Sequence, residues 1–311
     1  MDQGERILNM DLPDAVATAA REGNVDTVRE WLATGGSPGA MTPDGWTLLS
    51  YASASSRPSC ASVVEMLCEA GARDPHGGDC LCAAAVHGAL ETVRVLLRYG
   101  ASTSATMPNG LTALHHAVAA NDYRRYRDPW SIINARAAAS IGHQGIVRLL
   151  LKHGAAVNAN TTKSNMTPLM MAARISGFIS LGLVRELLAS GADLNLVSVK
   201  GRNAEAIARK RLSIEVRSGQ GIPHDMKHCR RPGSVEAFLA LLAEVRAAGS
   251  WKRYANAPRI DVIVLQRLCA AGRASPPPAL ARLFPTSTKS QPLPKELMWL
   301  ILKFWRTDRD P

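Results

Sequence analysis

Apolar residues along this chain recur in a fixed order: one or two branched or long apolar residues, a large apolar pair ending in leucine (Leu-Leu in three copies), then a small-residue stop. The order reads VVEMLCEAGA at Val63–Ala72, VRVLLRYGA at Val93–Ala101, VRLLLKHGA at Val147–Ala155 and VRELLASGA at Val184–Ala192. A fainter copy, VREWLATGG, occupies Val28–Gly36. Within one copy Val93, Leu96 and Leu97 stand at i, i+3 and i+4, so they share one face of a helix. Gly100 follows the last apolar turn, where a residue without Cβ can take a left-handed cap at no steric cost. Gly71, Gly154 and Gly191 hold the same place. The pattern predicts an amphipathic helix with a glycine stop, repeated along the chain.

A shorter helix is expected ahead of each of these. Thr112-Ala113-Leu114-His115-His116-Ala117 and Thr167-Pro168-Leu169-Met170-Met171-Ala172 begin with a hydroxyl that can accept from an early backbone N–H. Proline in the first turn has its φ already set for a helix. Asp44-Gly45, Asn109-Gly110 and Lys200-Gly201 come before the hexads as turn signals, so a hairpin-like finger should project between units. Self-similarity at this period means a solenoid, in which each unit contacts only its neighbours.

These units resemble the ankyrin-repeat family, whose pattern is T-P-L-H-x-A, a Gly-His or Gly-Asn dipeptide, then V-x-x-L-L-x-x-G-A. Gly23-Asn24 and Gly142-His143 supply the dipeptide, and Thr47-Leu48-Leu49-Ser50-Tyr51-Ala52 is a weaker hexad. The resemblance covers residues 12–212 in about five units. It implies an all-α ankyrin-repeat solenoid of helix–turn–helix units with β-hairpin-like fingers and a concave face for holding another protein. It also implies that His115 is structural, bridging neighbouring turns.

The spacing departs from a regular repeat in two places. The Gly-Ala pairs at 71, 100, 154 and 191 are 29, 54 and 37 residues apart. The short step falls where Asp79-Cys80-Leu81-Cys82-Ala83-Ala84 replaces the hexad, which predicts a clipped finger. The long step carries an insertion near 121–140, basic and aromatic at one end and alanine-rich at the other. After Lys200 the pattern fades into Asn203-Ala204-Glu205-Ala206-Ile207-Ala208, a degenerate hexad.

Beyond the repeats, 213–233 reads as a basic linker and 234–311 as a helical carboxyl-terminal extension. Val264, Leu265, Leu268 and Cys269 fall on one side of a helix, and Pro294–Trp305 is amphipathic. The segment 260–306 resembles the SOCS box carried by the ankyrin-repeat and SOCS-box family. That resemblance implies docking of elongin B/C through Leu265 and Cys269, and of a cullin through Pro292, Leu293 and Pro294. Gln291 and Val264 depart from that family's pattern. Two other readings stand beside it: a polar-backed cap over the end of the stack, and an F-box beginning at the same Leu-Pro stretch.

Composition narrows the function classes. The chain has 311 residues, 46% hydrophobic and 5% aromatic, which suits a stack of small-residue helices. No apolar run is long enough to span a membrane, and the acidic first twenty residues do not read as a secretory signal. Six irregularly placed cysteines then fit free thiols in an intracellular protein, in the cytoplasm or nucleus. The net charge of +11 favours anionic partners in general. Arg124–Arg127, Arg209–Arg211, Lys227–Arg231 and Trp251–Tyr254 are the basic clusters, and nucleic acid is the weaker reading of them.

Catalytic and metal motifs are not evident. Cys80-x-Cys82 beside His76 and His87 reads as core cysteine and not as a zinc pair, and His224/His228 as a loop pair. No nucleophile elbow, paired-histidine zinc motif or phosphate-cradling loop occurs. No cofactor and no enzymatic role are expected. The expected function is a non-catalytic scaffold or adaptor for another protein, with a cullin-type ligase substrate receptor and an anionic-ligand or nucleic-acid binder as alternatives. Trp46, Leu48, Met107, Asn109 and Met166 are the expected contact residues, from their place in the unit.

Overall fold

A computed structural model describes residues 12–74, 77–107, 110–119, 143–174, 180–217 and 234–270. The insertion near 121–140, His76, Asn109, the Lys227–Arg231 cluster with His224 and His228, and the tail from 271 onward lie outside them. Two compact units divide the chain, Met1–Leu239 and Ala240–Pro311.

In the first unit the first helix of each repeat lies in one layer: α1 (Asp14–Glu22), α3 (Leu48–Ser53), α5 (Asp79–His87), α7 (Ala113–Ala119), α9 (Pro168–Arg174) and α11 (Ala204–Arg217). The second helices form the other: α2 (Val25–Ala33), α4 (Pro58–Glu69), α6 (Leu90–Arg98), α8 (143–152) and α10 (Leu181–Ala189). Contacts run from each first helix to the next, α1 to α3, α3 to α5, α5 to α7, α7 to α9 and α9 to α11. This is the nearest-neighbour packing of a solenoid.

Burial follows from composition. Every residue of α7 is buried, because Ala, Leu and His side chains there meet helices on both sides. In α6, Val93, Leu96 and Leu97 are buried while Glu91, Arg94 and Arg98 face water. The amphipathic reading of the longer helices holds.

The glycine stops also hold. Gly71, Gly100, Gly154 and Gly191 have φ of 90°, 84°, 80° and 91°. At each, two backbone N–H groups close the helix: Gly71 N–H donates to the Cys68 carbonyl (3.1 Å) and Ala72 N–H to the Leu67 carbonyl (2.9 Å). The same pair recurs as Gly100 to Leu97 (3.1 Å) and Ala101 to Leu96 (2.9 Å). This is the Schellman arrangement, which satisfies carbonyls a helix end otherwise leaves open.

Fingers appear where turn signals stood. Single antiparallel bridges join Met41 to Thr47 and Thr106 to Thr112. Between α4 and α5 only residues 70–78 intervene, whereas residues 34–47 separate α2 from α3, so this finger is clipped, as the short step implied. Its helix start has lost the usual threonine, and Asp74 supplies the cap instead, its carboxylate accepting from Cys80 N–H at 3.0 Å.

In the remaining segment α12 (Ser234–Ala247) buries Val235, Phe238, Leu241, Leu242 and Val245. The division between units falls within it. In the second unit α13 (Trp251–Ala270) is one helix with Pro258 inside it.

A Cβ at Gly100 would meet nothing within 4 Å, so substitution there tests backbone handedness alone. Gly100→Ala should destabilise the array by about 1 kcal/mol, and Gly100→Asn by less. Urea denaturation of both variants measures the difference.

Candidate functional site

A recognition surface on this architecture is built from the fingers and from what holds them in register. The fingers are numbered by the segments between units: first 34–47, second 70–78, third 99–112, fourth 153–167 and fifth 190–203. His115 ties the third finger to the fourth. Thr112 N–H donates to His115 Nδ1 (3.2 Å), which makes Nδ1 an acceptor and leaves the proton on Nε2. The Thr112 hydroxyl lies 2.9 Å from the same nitrogen. Nε2–H then donates to the Met166 carbonyl in the next finger (3.0 Å). Burial pushes the imidazole pKa below its usual 6.5, and the Met166 hydrogen bond only partly opposes this. The structural role expected of His115 is what the structure shows.

A second histidine links units at the level of the helices. His143 Nε2 lies 3.2 Å from the Val86 carbonyl. The ring occupies the space beside Gly88, where a Cβ would come within 2.8 Å of it. His87 is held below its usual range by burial first and by His143 second.

The fourth and fifth fingers are joined more tightly. Asn158 donates to the Gly191 carbonyl (3.1 Å) and accepts from Asp193 N–H (3.0 Å). Asn165, at φ 49°, donates to the Val197 carbonyl (2.9 Å), and Val199 N–H donates to the Ser164 carbonyl (3.1 Å). On the outer layer the Glu186 carboxylate, nearly buried, accepts from Arg148 Nε at 2.8 Å.

The expected contact residues divide on burial. Trp46 is 46% exposed at the first finger, its ring centroid 5.8 Å from that of Tyr51. Met107 is half-buried on the third finger. Leu48 and Met166 are corrections: they are 0% and 6% exposed. Leu48 follows the Thr47 cap as the first residue of α3 and turns into the core, and Met166 sits behind Thr161, whose hydroxyl accepts from Met166 N–H (3.0 Å). Asn109 lies outside the described residues.

Sequence reasoning missed Val197 and Val199, exposed at 46% and 71%. The available signal was two branched apolar residues at the Lys200-Gly201 turn, where polar or small residues are the rule.

In α13, Leu265 is half-buried and Cys269 is buried, while Pro292, Leu293 and Pro294 lie outside the described residues. Cys80 and Cys82 are each 1% exposed, and burial, chiefly, pushes both thiols up to about 12. Among the described residues no group of three or more His, Cys, Asp or Glu side chains is placed to hold a metal. No helix among them is long and apolar enough to cross a membrane.

The family description "ankyrin repeats (3 copies)" matches residues 16–106 and 129–208, more than half of the chain. The chain belongs to the ankyrin-repeat family. It is similar to the B-cell lymphoma 3 protein homolog of Mus musculus, with 31% identity over 201 residues. That match covers 63% of this chain and 39% of the mouse protein's length. Ankyrin repeats are in general non-catalytic interaction modules.

Two outcomes check this geometry. Protonating His115 is opposed in the folded state, so its share of stability is full above about 6.5 and is lost as pH falls below that value. Urea midpoints between about pH 7.5 and 5.5 should therefore fall more for the wild type than for His115→Ala, which itself should lose about 1–3 kcal/mol at neutral pH. Cys80 and Cys82 should resist iodoacetamide in the native chain and react once it is unfolded, as mass spectrometry of labelled peptides would show.

Proposed function

We propose that this protein is a non-catalytic scaffold or adaptor that holds a partner protein on its ankyrin fingers. One observation carries the reading. Five large apolar side chains are exposed among the described residues, and three of them, Trp46, Val197 and Val199, sit on fingers. The long helices instead turn charged side chains outward, such as Arg94 and Glu91, paired at 3.1 Å. Exposed apolar groups on hydrogen-bonded loops are anchors a partner can cover at small ordering cost.

An intracellular setting accords with the buried free thiols at Cys60, Cys68, Cys80 and Cys82. Recruitment of ligase machinery through the tail is a finer proposal, supported by the placement of Leu265 and Cys269 one turn apart on α13.

Replacing Trp46 by Ala, with Val197 and Val199 by Ser, should weaken binding of the native partner at least tenfold, or about 1.4 kcal/mol. The melting temperature should stay within about 2 °C, since all three side chains are exposed. Calorimetric titration of the partner recovered with the intact chain measures the first and a thermal scan the second. Unchanged affinity would move the surface off the fingers.

A further inference from the structure

Charge is unevenly distributed along the array. Residues 12–107 carry ten acidic and six basic side chains, whereas residues 143–217 carry four acidic and eleven basic ones. Internal pairing uses up part of the negative charge in the second stretch. Glu186 is bound to Arg148, and Glu205 to Arg209 at 2.6 Å. Asp193 accepts from Asn195 N–H at 2.8 Å, within its own loop. Lys163 and Lys200, both exposed on fingers, have no carboxylate partner among the described residues.

These two lysines lie near Val197 and Val199, the second of which is the most exposed large apolar side chain among the described residues. Val199 N–H bonds to the Ser164 carbonyl, which brings the segment around Lys200 beside the segment around Lys163. The Asn165–Val197 bond fixes the other side of the same pair. Each finger is also closed on itself. Ser198 N–H donates to the Arg202 carbonyl (2.9 Å) and Thr161 N–H to the Met166 carbonyl (3.1 Å). The result is a pre-ordered pair of fingers that together present exposed Val197, Val199, Lys163 and Lys200.

We infer that the paired fingers at 156–166 and 193–202 dock an acidic segment of a partner protein, its carboxylates meeting Lys163 and Lys200 and an apolar side chain covering Val197 and Val199. This rests on the interaction-module reading above and names the class of partner. Charge complementarity selects an acidic occupant and steers its approach. The valines select a polypeptide over a nucleic acid, because single-stranded nucleic acid is held by stacking on aromatic rings, and these two fingers carry none.

The test uses photo-crosslinking in the full chain. A benzoylphenylalanine is placed at Val199 in one preparation and at Trp46 in another, each is irradiated in an extract of the native cell, and the adducts are sequenced by mass spectrometry. The expected result is that Val199 captures peptides of net negative charge that contain an apolar residue. Lys163→Glu with Lys200→Glu should then cut that yield about tenfold, while Lys163→Arg with Lys200→Arg, which keeps both charges, should leave it within about twofold. The inference is overturned if the Val199 adducts are neutral or basic peptides, a second copy of this chain or nucleic acid. It is also overturned if charge reversal leaves the yield unchanged, or if Trp46 captures a protein while Val199 captures nothing. Silence at both positions would overturn the interaction-module reading along with it.

Discussion

Burial of one helical layer between its own neighbours is the constraint on which this molecule depends. A short helix such as α7 has no solvent face, since all of its residues are buried between α5 and α9. It cannot hold its conformation alone at seven residues. Its stability comes from the units on either side, so the caps that set where each helix stops also set where the next unit can sit. Glycine stops, threonine caps and the histidine bridges all serve that placement.

Those fixed placements give the fingers their rigidity. Met166 is held through its carbonyl by His115 and through its N–H by Thr161, so the base of the fourth finger is locked from two sides. Asn158 and Asn165 extend the lock to the fifth. A partner meeting these loops finds exposed valines that are already ordered, which lowers the entropic cost of association. The same rigidity would make the surface selective, because a shape that cannot adjust rejects what does not fit.

Much of this was legible in the linear pattern, because its causes are local. Gly100 and its counterparts announce a left-handed residue wherever they stand after an apolar turn, and Thr47, Thr112 and Thr167 announce a helix start. The shortened finger was visible as a 29-residue step. What was not legible depends on register between units. Asp74 reaching Cys80 replaces a cap that the sequence pattern lacks at that position. Asn158 and Asn165 have the composition of ordinary loop residues until the neighbouring finger is beside them. Leu48 and Met166 were expected outside because they adjoin turn signals, yet a residue that follows a cap can face inward as readily as outward. Charge polarity along the repeats was countable from the sequence, but it gained meaning only when Lys163 and Lys200 came to stand next to Val199.

The open surroundings of Gly71, Gly100, Gly154 and Gly191 have a chemical consequence. The Cβ of an L-residue would meet nothing within 4 Å at any of the four, so only the mirror sense of the backbone opposes one there. A D-residue prefers that mirror sense, so D-alanine placed there by synthesis would suit the backbone of each helix stop and lose conformational freedom in the denatured ensemble.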